Sequence, residues 1–290
     1  MVTSLIQRAS ASQKRINEFL NTQPEVKNKN SDLTPVYGKI EFENVNFTYS
    51  ETGRAALKNI SFKLEKGKSI GIIGKTGSGK STIASLLCRM YDINSGSIKI
   101  DDREISSLNL KSLRKAIGYV PQDVFLFSDT IRNNIAFGLK NNIEQIEKEK
   151  MIIKAAKDAA VYENIMDFPQ KMDTVIGERG FTLSGGQKQR ISIARALVKA
   201  PEILIFDDCL SAVDTETEDK ILSSLRMVIK DKTTIFISHR VSVVKNADKI
   251  IFINEGKITE EGTHDELMSL NGEYAELFHL QTLEKNNSKV

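Results

Sequence analysis

The chain contains the sequence Gly74-Lys75-Thr76-Gly77-Ser78-Gly79-Lys80-Ser81, which fits the pattern G-x-x-x-x-G-K-[ST]. Glycines let consecutive backbone N–H groups converge on one anion, because no Cβ blocks the positive-φ conformations that such a loop needs. The lysine adds a charge for the β and γ phosphates of a nucleotide, and the serine hydroxyl adds a ligand for magnesium. The pattern therefore predicts a phosphate-binding loop, with a glycine-rich turn and a solvated lysine as the alternative.

The sequence on either side of this loop supports the phosphate-binding interpretation. A short apolar run of strand type, Lys68 to Gly74, precedes the loop, and Ser81 to Met90 has helical spacing with its apolar residues on one face. The order strand, glycine loop and helix aims the N-terminus of a helix at the bound phosphate.

Composition limits the class of protein. The 290 residues are 40% hydrophobic and carry a net charge of +3, which is too balanced to indicate nucleic-acid binding. No apolar run approaches the roughly 18 residues of a membrane span, and no secretory signal pattern opens the chain. Cys88 and Cys209 show neither a disulfide framework nor metal-ligand spacing. We therefore expect reduced thiols in an intracellular protein.

Hydrophobic patterning predicts an α/β fold with two kinds of strand. Residues 39–49, with a break at Asn44, and residues 56–64 alternate apolar and polar positions, as antiparallel strands with one solvated face do. Residues 203–206 and 233–238 are continuous apolar runs, as is 250–253. Such runs are typical of strands buried on both faces of a mostly parallel sheet.

The remaining segments predict the domain organisation. Residues 1–36 form an amphipathic helix, over about 1–20, followed by a polar linker. One α/β domain is expected over 37–283, with a helical subdomain inserted at about 129–200. Residues 284–290 are expected to be a disordered tail.

Two acidic residues follow the apolar run 203–206. Asp207 would lie at the carboxyl edge of the sheet, where open α/β folds bind ligands, and would hold Mg²⁺ through its water shell while Ser81 binds the ion directly. Asp208 comes next, where a carboxylate can orient an attacking water. His239 follows another apolar strand and is expected to reach the γ-phosphate edge. A turn or N-cap role for Asp207 and a structural role for His239 are the alternatives.

The segment Leu-Ser-Gly-Gly-Gln at Leu183 to Gln187 resembles the signature motif of ATP-binding-cassette (ABC) ATPases, and the other motifs of that family occur in order over about 37–283. The resemblance implies a P-loop NTPase (RecA-like) core with an N-terminal antiparallel β subdomain. It also implies that the signature opens a helix and forms a second anion-binding nest. In the family this nest binds the γ-phosphate of ATP held by a partner domain, so that two domains enclose two ATP molecules head to tail.

The resemblance also assigns single residues. Tyr49 matches the aromatic residue that stacks on adenine, although it shares a strand face with Phe47 and a core role is the alternative. Gln122 matches the glutamine that links the metal to the transport domain, Asp214 lies in the segment that matches the D-loop, and His239 matches the switch histidine. The residues expected to bind ATP are Tyr49, Gly74, Lys75, Thr76, Gly77, Ser78, Gly79, Lys80, Ser81, Thr82, Ser184, Gly185, Gly186, Gln187 and Asp214. Ser81, Gln122 and Asp207 are expected at Mg²⁺, and the expected catalytic residues are Gln122, Asp208 and His239.

Within the ABC ATPases, the chain resembles the exporters. Residues 124–135 look like the segment after the glutamine in exporters, and 174–180, with Glu178, resembles an exporter-specific loop. Residues 1–20 look like the end of a last transmembrane helix. The implied partners are the transmembrane domain of the same transporter and a second nucleotide-binding domain, at the cytoplasmic face of the cell membrane. An ordinary extra helix at 1–20 and a soluble cassette ATPase remain alternatives, and nothing in the sequence indicates the transported substrate.

Asp208 departs from the family pattern, which usually has glutamate at this position. Aspartate is one methylene shorter, so its carboxylate retreats by roughly 1 Å, and a displacement of that size can cost about 10²-fold in rate. The chain resembles the degenerate subunit of heterodimeric exporters, whose partner carries the glutamate. Its own site would then hydrolyse ATP slowly while its intact signature completes the partner's site. An aspartate that works adequately in a homodimer and a regulatory half with negligible turnover are the alternatives.

Overall fold

The computed structural model describes residues 2–28, 30–139, 143–177, 183–211, 213 and 215–287. The strands in these residues are β1 Ile40–Thr48, β2 Ala55–Leu64, β3 Ser69–Ile73, β4 Ser95–Ile100, β5 Arg103–Glu104, β6 Ile117–Val120, β7 Ile203–Asp207, β8 Thr233–Ser238, β9 Lys249–Asn254 and β10 Lys257–Gly262. The helices are α1 Val2–Asn21, α2 Lys80–Leu87, α3 Leu110–Ala116, α4 Ile131–Ala136, α5 Gln145–Asp158, α6 Tyr162–Met166, α7 Gly185–Leu197, α8 Thr215–Ile229, α9 Val241–Val244, α10 His264–Leu270 and α11 Glu273–Asn287.

The N-terminal half of the domain contains a four-stranded sheet of order β2-β1-β4-β5, whose neighbours pair antiparallel. The break predicted at Asn44 is present, because this residue has φ 49° and the register of β1 shifts on both of its edges there. Phe42 stacks on Phe62 of β2 on the buried face. The alternating pattern of the two strands therefore predicted an antiparallel sheet correctly.

The larger sheet has the order β10-β9-β3-β8-β7-β6, in which only the outer pair β10 and β9 is antiparallel among the described strands. Every residue of β7 and β8 is buried. Ile203 and Ile205 face one apolar cluster, and Leu204 and Phe206 face another. The sheet is therefore covered on both faces, which is why its strands are continuous apolar runs.

Parallel pairing brings the carboxyl ends of β3, β6, β7 and β8 to one edge of this sheet. The glycine loop follows β3, and the two acidic residues end or follow β7. Helices α4 to α7 lie between β6 and β7 in the chain, so the inserted helical segment leaves the sheet at this edge and rejoins it at the opposite edge, where β7 begins.

Both ends of the described chain are helical, with α1 at the N-terminal end and α11 at the C-terminal end. Helix α1 has no buried residue, and its apolar side chains, such as Ile6 and Phe19, are exposed. The linker after α1 lies on the domain, since Asn109 donates a hydrogen bond to the carbonyl of Asn30 at 2.7 Å. Helix α11 continues to Asn287, so the chain is helical beyond residue 284, where the sequence predicts a disordered tail. Among the described residues, no helix combines the length and the apolar character that a membrane crossing needs.

Candidate functional site

A polar cleft lies at the carboxyl edge of the larger sheet. Most of the residues predicted for ATP and metal binding border it, together with the predicted catalytic residues. The lining consists of Tyr49, Arg54, Ala56, Thr76, Gly77, Gly79, Lys80, Ser81, Thr82, Gln122, Asp207, Asp208, Ile237 and His239. The signature residues Ser184 to Gln187 are not part of this lining, and Asp214 lies outside the described residues.

The glycine loop joins β3 to α2 with a backbone that only glycine accommodates at its two ends. Gly74 has φ 150°, and a Cβ there would lie 2.0 Å from the carbonyl oxygen of Ile253. Gly79 has φ 103°, and a Cβ there would lie 2.4 Å from the carbonyl oxygen of Ala56. The loop therefore lies tightly against the neighbouring backbone, which a side chain at either glycine would prevent.

The Lys80 ammonium lies inside this loop. Its Nζ donates hydrogen bonds to the carbonyl oxygens of Gly74 and Lys75, both at 2.8 Å. Burial lowers the pKa of Lys80, and the nearby carboxylates of Asp208 and Asp207 offset part of that effect. A buried cation held by neutral carbonyls is poised to gain from an anionic ligand such as phosphate.

Ser81 and Asp207 form the part of the cleft that suits a divalent cation. Ser81 Oγ donates to Asp207 Oδ1 at 2.9 Å, and Tyr119 Oη donates to Asp207 Oδ2 at 3.2 Å. Burial raises the pKa of Asp207, against the two hydrogen bonds that lower it. Nearby cations relieve such a cost, and hard oxygen ligands of this kind suit Mg²⁺, which takes its other ligands from phosphate and water.

A further polar atom in the loop supports a phosphate ligand. Ser78 Oγ is buried and, within the described residues, has no hydrogen-bond partner. Buried polar atoms without a partner are rare and call for an explanation. The described residues contain no group of three or more acidic, histidine or cysteine side chains that could hold a metal by themselves. The oxygens of Ser81 and Asp207 fit a Mg²⁺ ion that takes its other ligands from a bound nucleotide and water.

Asp208 and His239 form a pair across the ends of β7 and β8. His239 Nδ1 lies 2.8 Å and 2.9 Å from the two carboxylate oxygens of Asp208. Ser238 Oγ donates to Asp208 Oδ1 at 3.3 Å, and Gln122 Nε2 reaches Oδ2 at 3.5 Å. Burial by itself raises the pKa of Asp208, but the hydrogen bonds from His239 and Ser238 and the charge of His239 outweigh it and hold the pKa below its usual value.

The backbone also constrains Asp208. The residue has φ 45°, and its N–H donates to the carbonyl of Ile237 at 2.7 Å. A non-glycine residue in this region is uncommon and is held there by its surroundings. Both ends of the residue, carboxylate and backbone, are therefore tied to the end of β8.

Tyr49 borders the cleft beside the start of α2. Its hydroxyl lies 3.0 Å from Thr82 Oγ1, and the edges of Phe47 and Tyr91 meet its ring in T-shaped contacts. The ring is half-buried, and Tyr49 lines the cleft. These contacts fix the orientation of the Tyr49 ring at the border of the cleft.

Two polar residues at or beside the cleft, Arg54 and Tyr119, were missed by the sequence reasoning. Arg54 donates from Nη2 to the carbonyl oxygen of Gly77 at 2.7 Å and lines the cleft. Tyr119 holds the Asp207 carboxylate. Neither belongs to a recognisable spacing, because each reaches the cleft from a different element. The sequence offered only a weak signal for Arg54, because it is a single basic residue a few positions after Tyr49 and belongs to no motif.

The signature residues begin α7 with an exposed N-terminus. Ser184 Oγ accepts a hydrogen bond from the Gln187 amide at 3.3 Å, and Gln187 Oε1 accepts one from the Ser184 amide at 2.9 Å. These two bonds form a capping box. The Gln187 side chain therefore serves the helix end, while Ser184 and Gly185 are exposed. Glu178 of the predicted exporter loop lies outside the described residues.

Comparisons with known proteins agree with this geometry. A family model described as ABC transporter matches residues 57–211. The ATP-dependent lipid A-core flippase of Pasteurella multocida (strain Pm70) is 48% identical over 246 residues, which cover 85% of this chain and 42% of the flippase. The ATP-binding cassette sub-family B member 6 of Xenopus tropicalis is 44% identical over 279 residues, covering 96% of this chain and 32% of that protein.

A solved structure, that of a bacterial Atm1-family ABC exporter with ATP bound, is similar over 97% of this chain and 49% of that one, with a TM-score of 0.88 and 41% identity. The chain thus spans about half or less of the length of these relatives. Its fold is that of the matched family and of the similar exporter. The chain belongs to the ABC transporter family.

Proposed function

We propose that the chain is the nucleotide-binding domain of an ABC exporter, and that it couples the binding and slow hydrolysis of Mg-ATP to export of a substrate across a membrane. The observation that carries the proposal is the convergence of Lys80, Ser81, Asp207, Asp208 and His239 on one glycine loop. The similarity over 97% of the chain to an exporter that holds ATP supports it.

Binding would use groups that are already in place. The Lys80 ammonium would exchange the carbonyls of Gly74 and Lys75 for phosphate oxygens, and the loop amides would bind further phosphate oxygens. Ser81 and Asp207 would hold Mg²⁺, which supplies charge neutralisation for the phosphates when it is bound. Tyr49 would offer its ring to the adenine.

Hydrolysis would depend on the pair of Asp208 and His239. Asp208 is the carboxylate nearest to the position from which a water would be oriented, but both of its oxygens are engaged by His239 Nδ1. Its low pKa favours the ionised form, while its short side chain keeps it close to β8. His239 Nε2 is left to meet the γ-phosphate. We infer that this cleft holds ATP well and hydrolyses it slowly.

Substitutions of Tyr49 distinguish a role in adenine stacking from a role in packing of the fold. We expect Tyr49→Ala to weaken ATP binding on the order of tenfold, because stacking of a base on an aromatic ring contributes about 1–3 kcal/mol. Tyr49→Phe keeps the ring and loses only the contact with Thr82, so its affinity should stay within about threefold of wild type. Titration calorimetry with ATP and thermal melting of both variants check this. Lower stability of Tyr49→Ala with unchanged ATP affinity would favour the packing role.

A second copy or a related domain is proposed to complete the site. The exposed N-terminus of α7 offers the amides of Gly185 and Gly186, which do not border the cleft of their own chain, as a site that caps ATP in trans requires. Head-to-tail pairing would place this nest over the partner's phosphate loop. Because Asp208 replaces the usual glutamate, the partner in a heterodimer is proposed to carry that glutamate.

Mixing two inactive variants tests the head-to-tail arrangement. Lys80→Ala disables the phosphate loop and leaves the signature, whereas Gly185→Asp places a carboxylate in the signature nest and leaves the loop. We expect each variant alone to lack ATP turnover, and the mixture to regain part of the wild-type rate, because a mixed dimer contains one intact site. A mixture as inactive as its components would contradict action in trans.

Docking on a membrane domain is proposed from a separate surface. Phe125, Phe127 and Phe137 are 51%, 38% and 64% exposed, and Phe127 stacks on Phe137 with the Arg195 guanidinium beside both rings. Clustered exposed aromatic rings mark interaction sites. This patch follows Gln122 in the chain, and Gln122 lines the cleft. A partner bound to the patch would therefore be linked to the cleft through this short segment. The partner proposed is the transmembrane domain of the same transporter, with this chain at the cytoplasmic face of the membrane.

A further inference from the structure

The segment that carries His239 is held from behind by the C-terminal helix. Gln281 of α11 donates from Nε2 to the carbonyl oxygen of His239 at 2.7 Å. Its Oε1 accepts a hydrogen bond from the backbone N–H of Val241 at 2.9 Å. One side-chain amide therefore binds the backbone on both sides of Arg240.

We propose that Gln281 is a positioning residue for His239, through which the C-terminal helix controls the phosphate end of the cleft. The inference rests on the proposed function, because it concerns the histidine assigned to the γ-phosphate. Gln281 lies outside residues 57–211, which the family model covers, and does not border the cleft.

The local backbone explains why this contact matters. Helix α9, which follows His239, has four residues, and its N-cap residue Arg240 makes no side-chain cap hydrogen bond. The first amides of a helix lack partners within the helix, and Gln281 provides one for Val241. Glutamine suits both positions because its amide carries a donor and an acceptor, whereas glutamate at neutral pH only accepts.

The opposite side of the same segment is tied to α8 and to the turn that follows β7. The Arg240 guanidinium donates to the buried Glu218 carboxylate at 2.7 Å and to the carbonyl of Ser211 at 3.0 Å. These bonds hold the Arg240 side chain. The bonds from Gln281 hold the backbone instead, at the carbonyl of His239 and the N–H of Val241. Removing Gln281 therefore removes one anchor of the His239 backbone, while Arg240 keeps the segment attached to the fold.

The consequence reaches the phosphate end of the cleft through the His239 ring. The imidazole Nδ1 lies within 2.9 Å of both Asp208 oxygens, and the ring follows its backbone. A misplacement of about 1 Å of a group at a reacting centre can cost about 10²-fold in rate. Loss of the Gln281 contacts should therefore lower the rate of the chemical step more than the affinity for ATP.

Three variants test this inference in the full chain. Gln281→Ala removes both hydrogen bonds, and Gln281→Glu keeps the acceptor for Val241 but replaces the donor to His239 with a carboxylate oxygen. Leu280→Ala is the control on the same helix, since Leu280 is 53% exposed. We expect both Gln281 variants to lower kcat by about tenfold or more with KM within about twofold of wild type. Leu280→Ala should match wild type.

A double-variant cycle separates positioning from general destabilisation. In a His239→Ala background, Gln281→Ala should have no further effect on kcat, because the group it positions is already absent. An unchanged kcat in Gln281→Ala would overturn the inference, and so would equal losses with and without His239.

A readout that needs no turnover distinguishes failure of this inference from failure of the proposed function. The chain has three histidines, so ¹⁵N-histidine NMR resolves the His239 ring, with His239→Gln for assignment. Gln281→Ala should shift the His239 ring nitrogen signals, whereas Leu280→Ala should not. Absence of ATP binding and turnover in wild type would refute the proposed function. An unshifted His239 signal in Gln281→Ala would refute the role of Gln281 whatever the turnover.

Discussion

Replacing Asp208 with glutamate is expected to raise steady-state ATP turnover by about tenfold to a hundredfold at protein concentrations that allow dimers to form. The added methylene extends the carboxylate by roughly 1 Å, away from β8 and toward the centre of the cleft, and a displacement of this size can change a rate by about 10²-fold. It also releases the carboxylate from the 2.8 Å and 2.9 Å contacts with His239 Nδ1. Phosphate release at saturating Mg-ATP measures the effect.

Asp208→Asn is the matched control for that substitution. It keeps the length of the aspartate side chain and removes the charge, so the residual turnover should fall rather than rise. ATP affinity should change little in either variant, because Asp208 is expected to act on water rather than on phosphate. Turnover of Asp208→Glu equal to wild type would count against the geometric account of this residue.

Removing the ammonium of Lys80 should have the second largest effect. We expect Lys80→Ala to weaken ATP binding by about a hundredfold and to abolish measurable turnover. Hydrogen bonds to charged groups contribute about 1.5–3 kcal/mol each, and every 1.4 kcal/mol is about tenfold in affinity. Equilibrium binding of a fluorescent ATP analogue and phosphate release check the two parts of this prediction.

Lys115→Ala provides the control for charge alone. Lys115 is an exposed lysine of α3, so its removal changes the net charge equally without touching the loop. Its ATP affinity and turnover should equal those of wild type. If Lys80→Ala behaved like Lys115→Ala, the assignment of residues 74–81 as the phosphate loop would fail.

Much of the fold could be predicted because its signals are periodic or local. The alternating pattern of residues 39–49 predicted an antiparallel strand and even its break, since Asn44 interrupts the alternation and adopts positive φ. The continuous apolar runs at 203–206 and 233–238 predicted strands buried on both faces, as β7 and β8 are. Helix ends are set by weaker, tertiary preferences, and α11 accordingly extends to Asn287, past the expected end.

The cleft was predictable wherever a motif carries its own chemistry, as the phosphate loop does. Arg54 and Tyr119 escaped prediction because single side chains reach the cleft from separate strands and turns, with no spacing to mark them. The same holds for Gln281, which lies far along the chain from His239 yet binds its backbone. The pairing of Asp208 with His239 also depends on the register of β7 and β8, which a linear pattern does not specify.

We expect the wild-type cleft to hold bound ATP without hydrolysing it for longer than a cleft with glutamate at position 208 takes to hydrolyse it. In a single-turnover experiment, labelled Mg-ATP is bound to excess wild-type chain and chased with unlabelled ATP, and the label is followed as ATP or ADP. Most label should leave wild type as ATP, whereas Asp208→Glu should convert most of it to ADP. Release from wild type chiefly as ADP, at the rate of Asp208→Glu, would contradict slow hydrolysis at Asp208.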